Sequence, residues 1–186
     1  MSKLRLSYTL LMLWDKGEKE KAAETYLHMD SFMTSRMKEG KAFDQYVAEV
    51  VTKEGKLPDE LGGEKLPEGS APHYQVTVPY KVGEIEVDVK AEFDVWAKPT
   101  IIEIKNSVNS DSAEWTNTPQ LSMYFFVAEV AKLGAKKAVL YRFDPIHHTY
   151  DRAVVWKSDR RIQEAKTLIE KYAIEIYEYF SKEGIL

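Results

Sequence analysis

The stretch from residue 74 to residue 105 constrains the fold more than any other part of the chain. Tyr74 to Val82 alternates apolar and polar residues, and Gly83 supplies a turn. The run to Trp96 alternates again, with Ile85, Val87 and Val89 set against Glu84, Glu86, Asp88 and Lys90. Period-two alternation gives one buried and one wetter face, so this reads as a half-buried antiparallel hairpin. A short turn at Lys98-Pro99 leads into a third strand, Thr100 to Lys105. Strand side chains alternate faces, so Glu103 and Lys105 point one way while Ile102 and Ile104 point into the core. If the last two runs pair, Asp94 reaches the same surface. Two carboxylates and an ammonium then meet at one sheet edge, an arrangement suited to holding a hard divalent cation beside a positive group.

The flanking segments read as helices and further strands. Residues 7–29 predict a helix, with Ser7 as N-cap and Leu10, Leu11 and Trp14 at helical spacing. Residues 30–53 predict a second, capped by Asp30 or Ser31, in which Gly40 marks either a break or a close backbone approach. Gly55, Pro58, Gly62, Gly63, Pro67, Gly69 and Pro72 make residues 54–72 a long loop with at most one helical turn. It reads as a surface connection, with a gate over a groove as the alternative. After a polar stretch, Thr118 and Pro119 supply an N-cap and a first helical residue for a helix reaching Leu133. Lys137 to Phe143 and Asp151 to Lys157 read as strands, and residues 159–182 as an amphipathic helix. The expectation is one α/β (α+β) domain over residues 1–186, a mixed sheet flanked by helices around a β-β-β-α-β core.

Composition narrows the chemistry. The chain of 186 residues has no cysteine, which excludes a disulfide framework, a thiolate metal site and an iron–sulfur cluster. A formal net charge of −4 does not advertise nucleic acid, so a nucleic-acid partner would require basic groups gathered on one face. Leu10 to Trp14 is too short an apolar run to span a bilayer, and a cytoplasmic protein without membrane contact is the expectation. His147-His148 lacks partners at zinc-site spacing and reads as loop; Trp115 reads as core.

Asp94 followed by Glu103-Ile104-Lys105 resembles the D…(D/E)xK signature of the PD-(D/E)xK nucleases. Gln120 to Tyr124 resembles the QxxxY motif of their RecB-like and lambda-exonuclease-like branch. Gly40 to Asp44 resembles that branch's upstream helix motif, with aspartate where histidine is usual. The resemblance implies a restriction-endonuclease-like core and a Mg²⁺- or Mn²⁺-dependent nuclease, acting on DNA as exonuclease or endonuclease. It implies Asp94, Glu103, the Ile104 carbonyl and Asp44 as metal ligands, with Glu49 a rival to Asp44. Lys105 would orient the attacking water and stabilise charge, since nearby carboxylates oppose a basic lysine. Gln120 and Tyr124, on one helix face, would stand beside the active site. A homo-oligomer or a protein partner would supply processivity. The alternative is a catalytically silent module of the same fold that binds DNA or a protein.

Overall fold

The computed structural model describes residues 3–27, 35–106 and 116–186. The elements are β1 (Leu4–Ser7), α1 (Tyr8–Asp15), α2 (Lys19–Tyr26), α3 (Ser35–Glu54), a 3-10 turn (Asp59–Leu61), β2 (Ala71–Val82), β3 (Ile85–Ala97) and β4 (Thr100–Asn106). Then follow α4 (Pro119–Val130), β5 (Lys137–Asp144), β6 (Thr149–Trp156) and α5 (Asp159–Lys182). The expected mixed sheet flanked by helices is the observed architecture, with the hairpin, the third strand, the Thr118-capped helix and the final helix all in place.

β3 is the hub of the six-stranded sheet. β2 pairs antiparallel with it almost end to end, from Ala71↔Trp96 to Val82↔Ile85. That fills one edge, so β1 and β4 must share the other. β1 runs parallel beside Val87 to Lys90, and β4 runs antiparallel beside Val95 to Ala97. Between Lys90 and Val95 the shared edge forks. β4 leaves β3 beyond Ile102 and continues in parallel with β5, which pairs antiparallel with β6.

Each face of the sheet has its own core. α1, α4 and α5 cover one face through Leu10, Leu11, Trp14, Phe125, Phe126, Ile169 and Phe180. Leu121 to Ala128 are all buried, as a helix apolar around its whole circumference must be. On the other face, Val47 and Val51 of α3 join Leu57, Leu61 and Leu66 over Val95, Ile102, Ile104, Val139 and Tyr141. Burying a side chain of this size contributes roughly 1.5–3 kcal/mol.

Several expectations need correction. β1 has no counterpart among the expected elements, since four residues are too short to show a period. The helix over 7–29 is two helices broken at Lys16-Gly17-Glu18, where Gly17 takes φ 76°, although Ser7 does cap the first through Leu10 N at 3.3 Å. Gly40 neither breaks α3 nor admits a close neighbour, because an added Cβ would meet nothing within 4 Å. Asp30, Ser31 and Trp115 lie outside the described residues. The 54–72 segment is a largely exposed connection with one 3-10 turn, as expected, but Leu57, Leu61 and Leu66 anchor it in the core. It is tied by Leu57 N to Glu64 O and Leu66 N to Gly55 O, both 2.9 Å, and pinned by Tyr141 Oη donating to Glu64 at 2.7 Å. Finally, β4 is an interior strand, so the acid-and-lysine group lies at the fork and not at a sheet edge. No described helix is long and apolar enough to cross a membrane.

Candidate active site at the strand fork

The fork dictates how Asp94 is used. Beyond Ile102 the β4 backbone has lost its β3 partner, and Ile104 N–H donates instead to Asp94 Oδ2 at 2.6 Å. The side chain thus replaces a missing ladder bond. The pleat also changes at this point. Phe93 belongs to the α4-side core, whereas Val95 and Ala97 belong to the α3-side core and Trp96 rejoins the first. Across the strand, His73 takes φ 48°, and the 73/94 pair is the one step missing from an otherwise continuous β2–β3 register.

Glu103 lies on the α4 side of β4 and is only 1% exposed. Four side chains close a ring there. Lys105 Nζ ion-pairs with Glu103 Oε1 and donates to Gln120 Oε1 at 3.2 Å. Gln120 Nε2 donates to Tyr124 Oη at 2.7 Å, and Tyr124 Oη donates to Glu103 Oε2 at 3.0 Å. The directions agree around the ring: turning the Gln120 amide over would set its NH₂ against the ammonium. Thr118 starts α4 by accepting from Gln120 N at 3.3 Å, and the four-residue spacing puts Tyr124 on the same helix face. The sequence-predicted Asp94, Glu103, Lys105, Gln120 and Tyr124 therefore do come together.

The electrostatics are those of crowded acids. Burial pushes the Asp94 carboxyl well above its ordinary value, and Glu103 pushes it further; the Ile104 N–H and Lys105 oppose this. Burial, then Glu103 and Asp94, lift the Tyr124 phenol well up, so it remains a donor. Burial lowers the Lys105 ammonium, but Glu103, Asp94 and Asp44 outweigh it and the net movement is upward. The Lys105 ammonium is thus favoured over the free amine.

α3 supplies the other wall. A cleft of about 680 Å³ is lined by Lys41, Asp44, Gln45, Ala48, Glu49, Thr52 and Lys53 of α3 and by Pro72, His73, Glu92 and Asp94 of the sheet. Burial raises the Asp44 carboxyl; Lys105 and His73 pull it down and Glu103 pushes it up, so its charge is felt by the ring. Glu49 instead pairs with Lys53 at 3.5 Å. Asp44 is thus the α3 acid coupled to the fork. Among the described residues no three histidine, aspartate or glutamate side chains stand close enough to form a ready-made metal cage. Asp94 and Glu103 nevertheless suit a hard cation that binds through one or two carboxylates and keeps several waters. The environment disfavours the charge of Asp94, and Glu103 is paired with the Lys105 ammonium.

Other singled-out residues play local parts. Arg161 is buried and donates to Thr116 O at 2.9 Å, Lys157 pairs with Glu129 at 2.7 Å, and Arg142 pairs with Asp151. His147 Nδ1 lies 2.7 Å from Asp144. His73 and Glu92 went unnoticed in the sequence. Neither sits in a motif, and only a positive φ in mid-strand brings His73 out.

No protein-family model matches this chain, and no curated protein matches it. Its fold is shared with solved structures at low identity. The protein SSO0001 superposes with a TM-score of 0.61 at 12% identity, covering 94% of this chain and 77% of its own. An alkaline exonuclease from Laribacter hongkongensis superposes with a TM-score of 0.57 at 13% identity, covering 97% of this chain and 93% of its own. The same exonuclease in complex with dAMP gives a TM-score of 0.52 at 12% identity, covering 98% and 93%. The central mixed sheet flanked by helices is thus a fold that an alkaline exonuclease also adopts.

Proposed function

We propose that this chain is a divalent-cation-dependent nuclease that hydrolyses phosphodiester bonds in DNA, acting as one nuclease domain over its whole length. The observation that carries this reading is the ring at the fork. Asp94, whose charge burial and the neighbouring Glu103 disfavour, sits beside a buried Glu103 that is tied to the Lys105 ammonium by an ion pair. Such an arrangement costs stability and has an evident use only when positive charge arrives. The dAMP-bound exonuclease of the same fold supports a nucleic-acid substrate.

In this reading Asp94 and Glu103 hold Mg²⁺ or Mn²⁺, joined by the Ile104 carbonyl, with Asp44 contributing from α3. The cation, when bound, supplies an activated water and neutralises charge that develops on the phosphoryl group. Asp94 keeps one oxygen on the Ile104 N–H, which fixes the carboxylate plane. Lys105, held between Glu103 and Gln120, presents a fixed positive charge to the phosphoryl oxygens and orients the attacking water. Its role is to orient and to stabilise charge rather than to act as a base, since the surrounding acids favour the ammonium. Tyr124 holds Glu103 and Gln120 holds Lys105, so neither has to reorganise during reaction.

The test is cleavage of labelled linear and circular DNA with Mg²⁺, Mn²⁺ or EDTA, by the native chain, Glu103→Ala and Lys105→Ala. Cation-dependent cutting lost in both variants is the expected result, and the circular substrate separates endonuclease from exonuclease action. DNA that is bound but never cut would mark a silent binding module instead. Cutting that survives both substitutions would move the active site elsewhere.

A further inference from the structure

The cleft beside the ring has two unlike walls. The α3 wall carries several hydrogen-bond donors, Lys41, Gln45, Thr52 and Lys53. The sheet wall consists of Pro72, His73, Glu92 and Asp94. Proline has no donor, and ionised glutamate and aspartate only accept. On this wall His73 is therefore the side chain with an N–H to offer a phosphate that approaches Asp94.

The backbone singles out the same residue. His73 takes φ 48° inside a strand, a conformation that side-chain-bearing residues seldom adopt and that costs stability. Pro72 and Tyr74 keep register with Val95 and Phe93 on either side, so the ladder closes around the strained step and holds it. The strain falls directly across from Asp94. One ring nitrogen, Nδ1, lies 3.5 Å from Glu92 Oε1, and Glu92 is itself held by Gln75 Nε2 at 2.8 Å. The other, Nε2, makes no hydrogen bond among the described residues. The imidazole is 46% exposed and close enough to Asp44 for their charges to interact.

We infer that His73 is a substrate-binding residue, its imidazole donating to a phosphate oxygen of the strand that enters the cleft between α3 and β2. Glu92 steadies the ring, and the kink in β2 turns it toward the fork. The inference rests on the nuclease reading above and names the group that receives the phosphate on the sheet side. A donor that meets substrate and transition state alike changes KM, whereas the cation-holding acids change kcat.

The experiment uses the full-length chain with Mg²⁺ and a DNA oligonucleotide, comparing His73→Ala, His73→Gln, His73→Gly and Glu103→Gln with the native protein. His73→Ala is expected to raise KM roughly tenfold with kcat within about threefold, the size of a lost charge-assisted hydrogen bond. His73→Gln, which keeps a donor near the Nε2 position, is expected to recover part of that loss. His73→Gly relaxes the positive φ, so it is expected to melt no lower than the native chain while keeping the KM defect. A merely structural histidine would not show that split. Replacing the phosphate beside the cleavage point with a neutral methylphosphonate is expected to erase the difference between native and His73→Ala. Unchanged KM in His73→Ala, or a defect that only follows its melting temperature, would overturn the assignment. If the native chain cuts no DNA with any cation, the nuclease reading itself fails and this contact falls with it. If the native chain cuts and Glu103→Gln does not, that reading stands and the His73 variants decide the contact alone.

Discussion

On the α4 side of the fork, Glu103, Lys105, Gln120 and Tyr124 complete one another's polar contacts: the Lys105–Glu103 ion pair is joined by hydrogen bonds of 3.2, 2.7 and 3.0 Å. On the α3 side, Lys41, Asp44, Gln45 and His73 line an open cleft. The first side is preorganised: its groups are where they must be before anything binds. The second is a receiving surface whose donors and acceptors await a partner. The difference follows from packing. α4 is apolar around its whole circumference and is sandwiched between sheet and α5, so its two polar residues near the fork can only turn toward it. α3 buries one stripe, Val47 and Val51, and leaves the adjoining face to solvent.

This contrast can be broken most severely from the α4 side. Lys105→Ala and Glu103→Gln are each expected to lower kcat by about 10²–10³-fold, the size of losing one preorganised electrostatic group, with KM little changed in steady-state cleavage. Tyr124→Phe removes the Glu103 and Gln120 bonds but leaves both acids and the ammonium. Here kcat is expected to fall roughly tenfold, with a stability loss of about 1 kcal/mol in denaturant unfolding. On the α3 side, Asp44→Asn is expected to raise the Mg²⁺ concentration for half-maximal cleavage several-fold, whereas Glu49→Gln should shift it by less than about twofold. An equal shift in both would make α3 a uniformly acidic wall and remove the special role of Asp44.

The smallest effect concerns pH and stability. The Asp94 carboxyl titrates well above its ordinary value because burial and Glu103 disfavour its charge. The folded chain therefore holds that proton more tightly than the unfolded chain does. The resulting stability is complete below the ordinary carboxylate pKa of about 3.9 and is lost as pH rises through the raised value. Asp94→Asn keeps an acceptor for the Ile104 N–H and removes the charge. In EDTA it is expected to melt above the native chain at pH 8 and level with it at pH 4. A native chain that melts higher at pH 8 would show the fork to be content with its own charge.

Much of this site was legible in the sequence because the residues follow regular periods. Strand alternation put Glu103 and Lys105 on one face, and a four-residue helical step aligned Gln120 with Tyr124. The hairpin and the Thr118-Pro119 helix start were likewise readable from local turn and capping chemistry. What escaped was non-local or irregular. β1 is a four-residue strand defined only by its parallel pairing with β3, and its presence turns a sheet edge into a fork. The shift in pleat at Asp94 and the positive φ of His73 depend on how β2, β3 and β4 meet, which no single segment encodes. Gly40 shows the reverse error, a local signal that the surroundings of α3 simply tolerate.

The most direct measurement of the central claim is Mn²⁺ binding at neutral pH, followed by the paramagnetic resonance of the free ion, for the native chain, Asp94→Asn and Glu49→Gln. The expected result is binding to the native chain and to Glu49→Gln that Asp94→Asn loses. Equal binding by all three, or none by the native chain, would contradict the assignment of the fork as the cation site on which hydrolysis depends.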